Sequence, residues 1–367
     1  MKITVAVYPF SMELLPAVKY FSKLQGRYRL TKLIAPPGLG LSGKDASYSC
    51  NHPEIGITVT ECLDMNDPSW ETLFIIKPIN RDMIDDAVME NVMGRALEAG
   101  KSVQFFVNSE IDISSKMRDM AYTHKDKISF NNKSIRANDS FVRLTMQHLG
   151  HCQIEAPVVL VGGMLAEAAD NFEVLAGLAE QFSKNGYRPL VLTRQPIGEV
   201  FGFYNINHVF SRSRFTESQK IQEINTHVKF LELTEVPDVI LMEAPDAAMR
   251  FSNDKPNGHG IKTFMLCQAV APDYFIITVP YKFAEPELLS AMSTGFKYRL
   301  GSPIHAVQVS NCMLDLSMDK EIPFVHTDID LVAEQIARKR ANSDIKMFDV
   351  VRDGISGMYE HINSAAL

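Results

Sequence analysis

Apolar residues fall along the chain in two alternating rhythms. "ITVAVY" (Ile3 to Tyr8) is a continuous apolar run of the kind that becomes a strand covered on both faces, and "SMELLPAVKYFSKL" after it has helical spacing. "YRLTKLIAP", "TLFIIKP" and "KSVQFFV" read as further strands, and "DDAVMENVMGRALEAG" as a helix closing at Gly100. Strands that alternate with helices build βαβ units around a parallel sheet. The rhythm breaks in "HKDKISFNNKSIRAND", which is polar and turn-prone, and "SFVRLTMQHLGHCQIEAP" combines a short helix with a connector.

It restarts at "PVVLVGG" and the helical "EAADNFEVLAGLAEQFSKNG". "YRPLVLT", "PDVILMEAP", "DYFIITVPY" and "HAVQVSN" follow as strands, with "FTESQKIQEINTHVKFLELTEV" a long amphipathic helix. "DIDLVAEQIARKR" and "MFDVVRDGISGMYEHI" read as helical. The expectation is an α/β protein of two domains, each with a mostly parallel sheet, divided near residue 150 into 1–150 and 151–367. No repeat of solenoid length appears.

Composition changes this picture little. Of 367 residues, 46% are hydrophobic and 22% charged, enough for a core in each domain. A net charge of −7 with no long Lys/Arg run argues against a nucleic-acid partner, and "ARKRAN" reads as a solvated helix face. The 5 cysteines form no CxxC, which suits reduced thiols in a cytoplasmic protein. No apolar stretch reaches the roughly 18 residues expected of a membrane span.

"GLGLSGKD" (Gly38 to Asp45) matches a nucleotide-binding P-loop except that Asp45 stands where Ser or Thr should hold the metal. An acid there would face the phosphates, and the residues after it lack a helical period, so the stretch reads as a false P-loop. The loop after "PVVLV" has the opposite defect. It lies between a buried strand and a helix, where open parallel sheets bind ligands, yet Gly162 and Gly163 are followed by no Lys and no Ser or Thr before Asp170 and Asn171.

Further candidates end other strands. Glu243 and Asp246 in "VILMEAPD" read as a metal or general-base pair, or as loop and capping carboxylates. Asn311 ends "VQVSN" as a base-reading amide or a turn residue. His259 and Lys255 sit in a Gly-rich loop able to close over a ligand or to form a plain surface turn. Asp238 begins its strand and reads as structural. "HLGHC" offers His148, His151 and Cys152 but no second ligand pair further along, so it reads as a linker rather than zinc.

Taken as a series, "VAVYPF", "LIAPPGLGLSGKDAS", "GITVTE", "DNFEVLAGLAEQFSKNGYRPLVLT", "FGFYNIN", "PDVILMEAPDAAMRFSN" and "FMLCQAVAPDYFIITVPY" resemble the peptide maturation system proteins of bacterial natural-product clusters. The resemblance implies an N-terminal Rossmann-like domain, a C-terminal P-loop-like domain and a role in maturing a ribosomally synthesised peptide. It marks Pro37, Gly38, Gly40, Leu41, Gly43, Lys44 and Asp45 as a family turn, with Lys44 and Asp45 as ligand-binding candidates. The chain departs from the family at Met164 and Leu165, at Asn171 where a Lys is expected, and at Glu243 and Asp246 where small residues are expected.

The leading expectation is therefore a protein that binds a peptide or nucleotide-like ligand in a cleft between its domains. Its partners would be a precursor peptide, a modifying enzyme or a second copy of the chain. The alternatives are an ATP- or GTP-dependent enzyme acting on peptide carboxyl or amide groups, with Mg²⁺ on Glu243 and Asp246, and a non-catalytic scaffold for a modifying enzyme.

Overall fold

The computed structural model describes all residues except 1, 25, 78–84, 109–112, 132–149, 166–169, 212, 252–256, 315–323 and 367. The chain forms two compact units, Met1–Ser134 with Gln195–His208, and Ile135–Arg194 with Val209–Leu367. A single boundary near 150 does not express this, because 195–208 belongs to the first unit. The helix and connector expected in 140–157, with His148, and Lys255 of the His259 loop lie partly or wholly outside the described residues.

In the first unit six parallel strands, β1 (Ile3–Tyr8), β2 (Tyr28–Ile34), β3 (Val59–Thr60), β4 (Thr72–Ile76), β5 (Ser102–Phe106) and β6 (Ile128–Asn131), run in the order β3-β2-β1-β4-β5-β6. That is the strand order of the Rossmann fold. Helices α1 (Leu15–Leu24), α2 (Asp86–Glu98) and α3 (Ser115–Thr123) cover it. Asp85 and Ser114 accept the first free N–H groups of α2 and α3, which is why these helices begin where they do. Trp70, Leu73, Ile75, Met89, Met93, Phe105 and Met117 form one buried cluster. Phe21 of α1 meets Phe74 and also Phe201, which lies in the 195–208 segment that carries the short strand β9 (Tyr204–Asn205). The turn after β1, which in a dinucleotide-binding fold is glycine-rich, instead carries Pro9 and a fully buried Phe10.

In the second unit β7 (Val158–Gly163), β8 (Pro189–Thr193), β10 (Val239–Ala247), β11 (Tyr274–Pro280), β12 (Ala306–Ser310) and β15 (Lys346–Phe348) lie parallel in the order β15-β12-β11-β7-β10-β8. A two-stranded antiparallel ladder, β13 (Cys312–Leu314) with β14 (Phe324–His326), follows β12. β7, the first strand, lies between β10 and β11, so the chain order switches direction there. β7, β11 and β12 are buried throughout, as their unbroken apolar runs require.

Helices α4 (Asp170–Lys184), α5 (Glu217–Glu235), α6 (Ile261–Ala269), α7 (Pro286–Arg299), α8 (Ile329–Arg340), α9 (Val350–Asp353) and α10 (Ser356–Ala366) complete the unit. α5 opens with a capping box between Thr216 and Gln219. The segment expected to be helical from Met347 begins instead as edge strand β15 and turns helical at Val350. No helix among the described residues is long and apolar enough to cross a membrane.

Candidate functional site

The carboxyl end of β7 is the place to look for a ligand in the second unit, because the strand order switches there. Its local chemistry differs from a phosphate loop in three ways. First, the backbone is already engaged. Met164 N–H donates to the Thr278 carbonyl at 2.9 Å and the Gly163 carbonyl accepts from Ala248 N–H at 2.8 Å, so the first N–H past the strand is turned to β11 rather than to a ligand.

Second, Gly162 is needed for packing. A Cβ there would lie 3.1 Å from the Phe275 ring and 3.3 Å from the Ala244 methyl, so the absent side chain lets β7 sit between its neighbours.

Third, the helix that follows opens on acids. Asp170 and Glu173 stand in the first turn of α4, where the helix dipole favours them, and Asp170 is only 1% exposed. Gln308 of β12 donates from Nε2 to Asp170 Oδ2 at 3.2 Å, and its Oε1 accepts from Val350 N–H at 2.9 Å. Asp349 caps α9 from the end of β15 by accepting Arg352 N–H at 3.2 Å. Burial, reinforced by the nearby charges of Asp170 and Asp353, pushes the Asp349 carboxyl up to about 6.

Two polar groups on this face are left unanswered. Asn171, second residue of α4, is buried, and its Oδ1 has no hydrogen-bond partner among the described residues; the same holds for the Thr278 hydroxyl on β11. Thr278 is in register with Gly163 on one side and Gln308 on the other, so all three share the face that α4 covers.

Glu243 belongs to the same face, one register step closer to the amino end, opposite Val161. It is 1% exposed and accepts from Thr193 Oγ1 (2.5 Å), Arg194 N–H (3.1 Å) and Arg194 Nε (3.2 Å). Burial raises its pKa despite the opposing pull of Arg194 and Thr193. β10 then bulges. Glu243 faces Val161 but Ala247 faces Gly163, so Ala244–Pro245–Asp246 carries extra chain and turns Asp246 away. Asp246 caps α6, accepting Thr263 N–H (2.7 Å), Thr263 Oγ1 (2.6 Å) and Lys262 N–H (3.1 Å). The two carboxylates therefore serve different elements and do not converge as a metal or base pair.

His259 is exposed and fixed through its backbone, its carbonyl accepting Arg299 Nη2 at 2.8 Å. The adjoining Gly260 lies at φ +66, where a Cβ would sit 2.7 Å from the Ala248 carbonyl oxygen, so only glycine fits. Asn311 is buried and donates from Nδ2 to the Thr327 carbonyl at 2.9 Å, while Thr327 N–H returns a bond of 2.9 Å to the Asn311 carbonyl. It ties the residue after β14 to the end of β12. Asp238 pairs with Arg188, as a strand-start carboxylate should. Asn225 holds the His151–Cys152 segment, accepting Cys152 N–H at 2.7 Å. Among the described residues no three His, Cys, Asp or Glu side chains are grouped to share a metal.

In the first unit, Asp45 is the centre of its own loop. It accepts Ser47 N–H (3.0 Å), Ser47 Oγ (2.6 Å), Ile55 N–H (3.2 Å), Gly56 N–H (2.9 Å) and Ile57 N–H (3.1 Å). Burial opposes the charge, but Ser47, Ile55 and Gly56 outweigh it and hold the carboxyl below its usual range. Lys44 rests over the Tyr48 ring at 3.8 Å, a cation–π contact at the surface. The "GLGLSGKD" turn thus spends its acid on local N–H groups. Replacing Asp45 with alanine should cost about 2 kcal/mol in urea denaturation at neutral pH. Because the folded pKa is depressed, that difference should be present above the unfolded carboxyl pKa and shrink as pH falls through the folded one.

No protein-family model matches the chain, and no curated protein matches it in sequence. Among solved structures it is similar over 99% of its length, and 100% of the other chain, to a DUF1611 family protein from Anabaena variabilis ATCC 29413, with TM-score 0.64 and 12% sequence identity. That likeness extends to the fold of the whole chain and no further. A chloroplast FtsY from Physcomitrella patens matches with TM-score 0.34 and 14% identity, covering 59% of this chain and 67% of that one. A putative oxidoreductase from Bacteroides fragilis NCTC 9343 matches with TM-score 0.28 and 14% identity over 51% and 53%.

Proposed function

We propose that this chain takes part in the maturation of a ribosomally made peptide, and that its second unit binds a peptide segment at the carboxyl end of β7. The observation that supports this reading is the composition of that end. Where a triphosphate site needs a lysine, a hydroxyl and free N–H groups, this one offers the buried acids Asp170 and Asp349, a Met164 N–H already in use, and the unpartnered acceptor Asn171 Oδ1. Acceptors call for a ligand that brings donors, and a peptide brings one N–H per residue. The field of the acids opposes phosphate and favours an amine.

ATP or GTP with Mg²⁺ does not fit these residues, and no step is assigned to it. The resemblance of the sequence to peptide maturation proteins agrees with the peptide reading.

The test is fluorescence anisotropy of labelled leader segments from ribosomal-peptide precursors, against scrambled controls. Binding of at least one leader, weakened about tenfold by Asn171→Ala, is expected, because one buried hydrogen bond is worth roughly 1.4 kcal/mol. Asn171 Oδ1 makes no bond to any described residue, so the variant should keep its melting temperature. Leaders that bind no better than scrambled peptides, or no loss in the variant, would sink the proposal.

A further inference from the structure

One pair of side chains at the same edge of the sheet plays no part in the site above. Cys312 opens β13 directly after β12, and its cross-strand partner in the antiparallel ladder is His326. Cys312 Sγ lies 3.3 Å from His326 Nε2, and the two residues are 2% and 8% exposed.

The backbone on both sides is fixed. Cys312 N–H donates to Ser310 Oγ at 3.2 Å, and the paired bonds between Asn311 and Thr327 lock the residue before the thiol to the residue after the imidazole. Asn311 therefore has a positioning role at this pair.

A cysteine buried without a base behaves differently. Cys267, equally enclosed, is pushed up to about 12 by burial. An imidazole at hydrogen-bond distance works against that shift, because it is placed to accept the thiol proton and its charge then favours the thiolate, the arrangement that makes cysteine a nucleophile. The position also suits chemistry, since strands of an open parallel sheet present their carboxyl ends to ligands.

We propose that Cys312 and His326 form a nucleophile–base pair acting on the carbonyl of a peptide ester or amide. His326 Nε2 takes the Cys312 proton, and Sγ bonds to the carbonyl carbon. The C–O or C–N bond breaks, and the departing alcohol or amine carries off the imidazolium proton. Water then adds to the thioester carbon while His326 takes its proton, the C–S bond breaks and the thiol is restored. The sum is hydrolysis, with no net redox change. Only the identity of the substrate as a peptide rests on the proposed function; the reactivity of the thiol does not.

The first experiment is therefore independent of any peptide. Iodoacetamide alkylation of the full chain is followed across pH, with peptide mass mapping to resolve the five cysteines. Cys312 should alkylate with an apparent pKa at least one unit below the roughly 8.5 of a free thiol. His326→Gln should slow its alkylation about tenfold near pH 6.5 by removing the base, while exposed Cys62 stays unchanged in both proteins.

The ultraviolet thiolate absorbance of the unsubstituted chain minus that of Cys312→Ser gives the same pKa without altering His326. A Cys312 that stays unreactive until pH exceeds about 8.5, or a thiolate difference that appears only there, would overturn the proposal. Failure of leader binding alongside a low thiol pKa would remove the peptide reading and leave the pair standing.

Discussion

Glu243→Ala should lower the unfolding free energy by about 3–5 kcal/mol, the range for breaking a buried ion pair by removing one partner. The loss arises because Arg194, itself buried, keeps its charge while losing the carboxylate at 3.2 Å, and the Thr193 hydroxyl loses its acceptor. Glu243→Gln retains an acceptor for Thr193 and for Arg194 N–H and should cost less. Chemical denaturation of the three proteins measures both effects. A Glu243→Ala protein of undiminished stability that lost only a ligand would contradict the assignment of this residue to the frame rather than to chemistry.

Asp349→Asn carries the opposite sign. A carboxyl held at about 6, against 3.8 for the free group, costs the native state about 3 kcal/mol once both states are ionised. The native chain keeps a proton that the unfolded chain has released between those two values. Stability from this group is therefore complete below 3.8, falls as pH rises through the window, and is gone above about 6.

Asparagine keeps the cap on Arg352 N–H without the charge. The variant should thus be more stable than the parent by up to about 3 kcal/mol at pH 8, and the advantage should vanish near pH 4. Urea denaturation at the two pH values checks both halves, and equal stabilisation at both would rule out Asp349 as the source.

The long buried strands were legible because periodicity reports burial directly. β1, β4, β7, β11 and β12 are apolar runs with no other stable home, and the helix ending near Gly100 carries its own stop signal. What escaped was set by pairing rather than by pattern. β6 comes from "ISFN" within a polar stretch, and it is a strand because β5 offers it an edge. β15 begins inside a helical pattern, pinned by its pairing with β12, and the β13–β14 ladder is too short to show alternation.

The site followed the same rule. The position of the loop after β7 was read from strand, glycine and helix order. The destination of each polar group was not. Asp246 and Asp45 bind N–H groups 16 and 10 to 12 residues away, and Asp170 reaches Gln308 across 138 residues. The pairing of Cys312 with His326 had one signal available, an apolar strand ending in "SNC", but its partner lies 14 residues on and only the ladder register brings the two together.

The proposed function makes the carboxyl end of β7 a site for a donor-bearing ligand rather than a triphosphate. Isothermal titration of the full chain with Mg-ATP and with Mg-GTP addresses that claim most directly. No saturable heat is expected up to millimolar nucleotide, in the parent and in Asp170→Asn alike. Saturable binding that tightens in Asp170→Asn would place phosphate beside α4 after all, and contradict that claim.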